Sequence, residues 1–174
     1  RSTFQKTLDA FFKLKILRQS SGKRNMPITL SYVPTIAYKT LKDENPDRKN
    51  YFSSKLIYTH QLIIGRKFSE ATSLQLMPTV THVNLVQLQT DPNDLVSIGI
   101  GGRQKLSKRV SLNAEYYYQL PDYKITGTTN SLSVGFDIET GGHVFQLHFT
   151  NSQGMSERTF INETKKKKKK GDIF

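Results

Sequence analysis

Between Asn130 and Gln153, Leu132, Val134, Phe136 and Ile138 alternate with Ser131, Ser133, Gly135, Asp137 and Glu139. After Gly141-Gly142 the alternation resumes, with Phe145, Leu147 and Phe149 against Gln146, His148 and Thr150. Successive side chains of an extended chain point to opposite faces, so this pattern predicts two strands, each with one apolar and one polar side. The Gly-Gly pair supplies the positive φ of a tight turn, and the unit is a β-hairpin.

The same period recurs upstream. From Phe4 to Leu17, Leu8, Ala10, Phe12, Leu14 and Ile16 alternate with Asp9, Phe11, Lys13 and Lys15, where a helix would mix Lys13 and Ile16 on one side. Ile28–Lys39 is a second segment, in which Pro34 removes a ladder donor and weighs mildly against a strand. Ser54–Phe68, Thr72–Val86, Leu95–Arg103 and Val110–Leu120 follow, and the hairpin closes the series. The segments run to roughly 9 to 15 residues, longer than the ~5–6 of soluble sheets and near the ~9–11 that a tilted strand needs to cross a bilayer. Connections alternate as well, shorter after the first, third, fifth and seventh segments and longer after the others. Transmembrane barrels have this asymmetry, with tight periplasmic turns and long outer loops.

The expected fold is therefore all-β: an antiparallel up-and-down transmembrane β-barrel in a single domain, 1–174, with about eight strands visible. If short turns are periplasmic, the first segment descends and the eighth ascends, so an even-stranded barrel with periplasmic termini needs further strands at both ends, about ten or more in all. Gly171–Phe174 reads as the start of a closing strand, and residues 154–170 as a polar extracellular loop.

Composition agrees. The hydrophobic fraction is 36% and mean hydropathy −0.52, and no run approaches the ~18–20 apolar residues of a spanning helix. A β-barrel escapes that test because lipid-facing and lumen-facing residues alternate. Cysteine is absent, which removes disulfides, thiolate metal sites and a cysteine nucleophile. The net charge of +12 owes half its excess to the run Lys165–Lys170. That run has no aromatic platform or recognition helix beside it, so no nucleic-acid partner is expected and a solvated loop is the simpler reading. The chain opens on Arg1 with neither initiator Met nor signal peptide, as a processed form or a fragment would.

Phe11–Lys23, Asn113–Pro121 and Ser133–Met155 resemble an uncharacterised family of outer-membrane β-barrels typical of Bacteroidota, and the resemblance extends over nearly the whole chain. It implies further strands before Phe4, a final strand continuing from Gly-Asp-Ile-Phe, and a bacterial outer-membrane location. The lysine run departs from the family's pattern, and no catalytic motif comes with the resemblance.

Two faces carry the functional expectations. The apolar one, with Leu112, Tyr116, Tyr118, Leu132, Val134, Phe136, Phe145, Leu147 and Phe149, is expected to meet lipid, with Tyr32, Tyr38, Tyr116, Tyr118 and Phe149 as interfacial aromatics. The polar one, with Asp9, Lys13, Lys15, Lys39, Lys55, Arg103, Glu115, Asp137 and Glu139, is expected to line the lumen. There the charges either set ion preference or pair and close the passage. Histidine offers the only candidate metal ligand or base, but His60, His82, His143 and His148 are scattered, and the first three fall in the apolar phase. His60 in mid-strand calls for a bulge or a covering partner. No Ser-His spacing suggests a hydrolase, for which His148 would be the residue to test.

The function expected is that of an outer-membrane barrel, either a porin-like channel or a structural part of an envelope complex, without enzymatic activity or cofactor. Its partners are membrane lipids and other envelope proteins. The alternative is a soluble β-barrel with the apolar face inward, holding a small apolar ligand.

Overall fold

The computed structural model describes residues 7–23, 25–41, 51–86, 88–152, 154 and 157–164. The lysine run, Gly171–Phe174 and most of the 41–50 loop lie outside the described residues.

The chain forms one meandering antiparallel sheet of nine strands: β1 (Thr7–Phe11), β2 (Leu14–Leu17), β3 (Thr29–Lys39), β4 (Leu56–Lys67), β5 (Thr72–Val83), β6 (Asp94–Lys105), β7 (Val110–Gln119), β8 (Ser131–Thr140) and β9 (His143–Thr150). One short helix, α1 (Glu157–Asn162), follows. Each strand from β3 to β9 pairs with the next in sequence, while β1 and β2 both pair with β3. The sheet curls into a half-barrel, with β1 and β2 at one edge and β9 at the other.

The strand count differs from expectation because the first segment splits at Phe12–Lys13. Phe12 donates its N–H to the Pro34 carbonyl at 3.0 Å. A strand residue turns its N–H and C=O to the same neighbour, so the donor that Pro34 lacks is the one the Phe12 carbonyl would have used. The ladder therefore breaks opposite the proline. Pro78 in β5 has a similar effect on its β4 side, where pairing lapses between Gln61↔Thr79 and Ile64↔Leu76.

Turn lengths follow the alternation at one end of the sheet, where residues 68–71, 106–109 and 141–142 make tight connections. Gly141 and Gly142 have φ of 51° and 122°, the left-handed values the hairpin required. The 18–28 connection is longer and is pinned to β4 by the Gln19 amide, which donates to the Lys67 carbonyl (2.8 Å) and accepts from the Lys67 N–H (2.7 Å). Residues 84–93 and 120–130 make the long connections at the opposite end.

Burial is inverted relative to a soluble sheet. Thr59, Thr81, Thr79, Ser97 and Ser131 are at most 2% exposed, whereas Leu76, Ile98, Ile100 and Leu132 are 43–55% exposed. Hydroxyl rows fill the concave side and aliphatic rows coat the convex side. The soluble alternative required the opposite arrangement, and it falls on this observation.

Candidate functional site: the inner wall

Cross-strand register stacks the inward side chains in rows. One row runs Val33, Gln61, Thr79, Ser97, Gln119, and the next places Met77, Gly99, Tyr117 and Ser131 side by side. Residues opposite one another across antiparallel strands are near enough to touch, so each row can act as one polar surface. Thr59 and Thr81 share a hydroxyl hydrogen bond at 3.1 Å, and Gln61 Nε2 donates to Thr79 Oγ1 and to the Tyr117 hydroxyl, both at 3.0 Å. Tyr117 in turn donates to Met77 Sδ at 3.3 Å.

Tyr117 can lie flat on this wall because its neighbour in β6 is Gly99. A Cβ at position 99 would fall within 2.8 Å of Cδ1 and Cζ of the ring. No functional role was assigned to Tyr117 or to the hydroxyl rows from the sequence. The available signal was a bulky tyrosine in the polar phase of β7 beside a β6 whose own polar phase holds Gly99 and Gly101.

The predicted lumen charges separate into two groups. Arg103 on β6 comes together with Asp137 and Glu139 on β8, across the intervening β7, near the tight turns. Arg103 Nε lies 3.8 Å from Asp137 Oδ2, its Nη2 lies 4.0 Å from Glu139 Oε1, and Nη2 also donates to Ser111 Oγ at 2.8 Å. Asp137, 9% exposed, accepts from Asn113 Nδ2 at 2.7 Å and from Gln146 Nε2 at 3.1 Å. The charges of this cluster pair along the wall, from β6 over β7 to β8. Glu115 shares the inner side between Gly101 and Ser133.

The remaining charges lie apart from that cluster. Asp9 is buried on the inner side of β1, Lys15 pairs with inward Ser31, and Lys13 is exposed in the break between β1 and β2. Lys39 ends β3. Lys55 is off the sheet, in the 3-10 turn Phe52–Lys55, with its amine on the Leu41 carbonyl at 3.1 Å.

The residues predicted to face lipid all lie on the convex side, where Leu112, Phe136 and Leu147 form one row and Tyr116 and Leu132 are opposite each other. Val134 pairs with Phe149, Ile138 with Phe145, and Tyr118 with Ile98. His60 is on this side too, without a bulge in the pairing of β3 and β4: its Nδ1 and the Tyr32 hydroxyl are 2.6 Å apart and the two rings are parallel. His148 faces inward beside Gly135. Among the described residues no cluster of three or more His, Asp or Glu could hold a metal.

The interior differs between its two ends. Toward the tight turns a cavity of about 450 Å³ is bounded by Gln19, Lys67, Gln75, Arg103, Asn113 and His148 among others. Toward the long loops Ala37, Ile57, Val83 and Leu95 form a small apolar cluster, covered by Val86 and Ile125 from the loops. Period two placed those four in the polar phase, and they are apolar because the loops fold back over them. The tail, expected as a loop, contains α1, and Ile161 of α1 packs on Met77 and Tyr117.

No curated protein and no solved structure matched the chain. One family did match, over residues 1–174, and its description is a membrane-bound β-barrel domain (DUF5777). Inverted burial on a curled meander is what a membrane barrel requires, and with a match over its full length the chain belongs to that membrane-bound β-barrel family.

Proposed function

We propose that the protein is a bacterial outer-membrane β-barrel with a porin-like role, its convex aliphatic rows meeting acyl chains and its concave hydroxyl rows lining a water-filled passage. The observation that carries this reading is the inverted burial, with Thr81 fully buried while Ile100 is 55% exposed. Hydrocarbon outside and water inside is the environment in which that distribution is favourable. The role is passage or scaffolding, with no catalytic step and no cofactor.

A second reading, a structural part of an envelope complex, draws on the occupied long-loop end of the interior. Recordings from the full-length protein in planar bilayers separate the two. Discrete steps of conductance are expected, and silence at every voltage from a folded barrel would leave only the structural reading.

A further inference from the structure

The tail after β9 crosses back over the concave face. Ile161 and Asn162 are each 1% exposed and Thr164 is 2% exposed. Asn162 Nδ2 donates to Thr81 Oγ1 on β5 at 3.0 Å. The Phe160 ring meets Tyr117 of β7 edge-on at 5.7 Å, and the Thr164 carbonyl accepts the Thr129 N–H at 2.7 Å. The segment thus bridges the inner wall from β5 through β7 to the loop before β8.

Among the described contacts, its side chains meet the wall through Asn162 on Thr81 and through Phe160 and Ile161 on Tyr117 and Met77, and a backbone bond joins it to Thr129, whereas neighbouring strands exchange continuous ladders. Its seat is half polar, with Thr81 and Thr129 beside Met77 and Tyr117, so on release water can satisfy the polar half and the loss is mainly the apolar burial of Ile161. Such a segment opens at far lower free energy than the sheet beneath it.

We infer that Phe160–Thr164 is a plug that closes the passage when seated against Thr81 and Tyr117 and opens it when released. This rests on the porin-like reading above. The plug is at the long-loop end, and the cavity between Gln75, Arg103 and Asn113 lies beyond it toward the tight turns. A solute crossing the described half-barrel would pass the cavity and then meet α1.

Residues 1–174 contain no cysteine, so Thr81→Cys with Asn162→Cys introduces a defined thiol pair into them, in a full-length protein with any cysteine outside them replaced by serine. A short, reducible bis-methanethiosulfonate reagent should bridge the two in the full-length protein in bilayers. Bridging should abolish conductance and reduction should restore it, while the Thr81→Cys single variant should be indifferent to the reagent. As a second arm, Ile161→Asn should unseat the segment and raise the open fraction without loss of the folded barrel. Failure of the pair to cross-link would overturn the seating itself. Equal, non-zero conductance in bridged and reduced forms would overturn the plug and leave the channel standing. No conductance in either form, nor in Ile161→Asn, from a barrel shown to be folded would overturn the plug and the channel together.

Discussion

The contact between Gly99 and Tyr117 gives the most exacting test of the inner wall. An alanine at 99 places its Cβ within 2.8 Å of three ring carbons, Cε1, Cδ1 and Cζ, while ordinary carbon contacts lie at about 3.5–4.0 Å, so the ring must retreat by roughly 1 Å. Tyr117 is 3% exposed and its hydroxyl is bonded to Gln61 and Met77, so there is little slack. Overpacking costs about 1–3 kcal/mol and a weakened hydrogen bond about 1 more, against roughly 0.5–1 kcal/mol regained by removing a strand glycine. Gly99→Ala should therefore destabilise by about 1–3.5 kcal/mol. Tyr117→Ala alone should cost about 3–5 kcal/mol by leaving a cavity. In that background Gly99→Ala has nothing to strike and becomes neutral or slightly stabilising. The double-mutant cycle should return a coupling of about 2 kcal/mol or more. Urea titrations of the barrel in detergent micelles, followed by far-ultraviolet circular dichroism and by gel mobility of unheated samples, measure all four corners. The chain has no Trp, so its fluorescence is not a usable probe. Additivity within about 0.5 kcal/mol would mean that ring and glycine do not meet and that the inner wall is wrongly assigned.

Neighbouring positions on β5 should respond oppositely to the same charge: Leu76→Arg, on the convex side, should cost about 2–4 kcal/mol if it faces mid-bilayer, and Gln75→Arg much less. Equal folded fractions of the two variants on unheated gels would contradict the assignment of faces. Asp137→Ala removes the common acceptor of Asn113 and Gln146 and the carboxylate nearest Arg103, and should cost about 1–3 kcal/mol, with Asp137→Asn retaining part of it; a urea midpoint unchanged in Asp137→Ala would remove the cluster from the account. In the 68–71 turn, the hydrogen bond and charge of Lys67, 2.9 Å away, hold the Glu70 carboxyl below the usual glutamate range. A lowered folded value means that the pair contributes above the ordinary glutamate pKa and is lost as pH falls through the lowered one. Carboxyl carbon shifts should therefore titrate below those of an unpaired glutamate, and in Lys67→Gln they should return to the ordinary midpoint.

Much of the fold was legible in the residues because the side-chain period of a strand is two and each face is set locally. Leu132 and Ser133 are on opposite sides of β8 whatever surrounds them, and Gly141-Gly142 turns the chain by its own φ preference. Strand order followed from the tight turns, which leave a strand little choice but its sequence neighbour. The split of the first segment was less legible, since it depends on which neighbour Pro34 faces, and that is a matter of register.

What only the tertiary structure decided involves residues far apart in the chain. Asn162 meets Thr81, Phe160 meets Tyr117 and Arg103 meets Asp137 because curl and register bring distant rows to one wall. No local period encodes such meetings. The tail's polarity suited a solvated loop as well as a lumen, because a hydrated interior and bulk solvent make the same demand on a side chain. The inward apolar cluster at Ile57 and Leu95 was hidden for the related reason that its cover comes from loops whose path no alternation records.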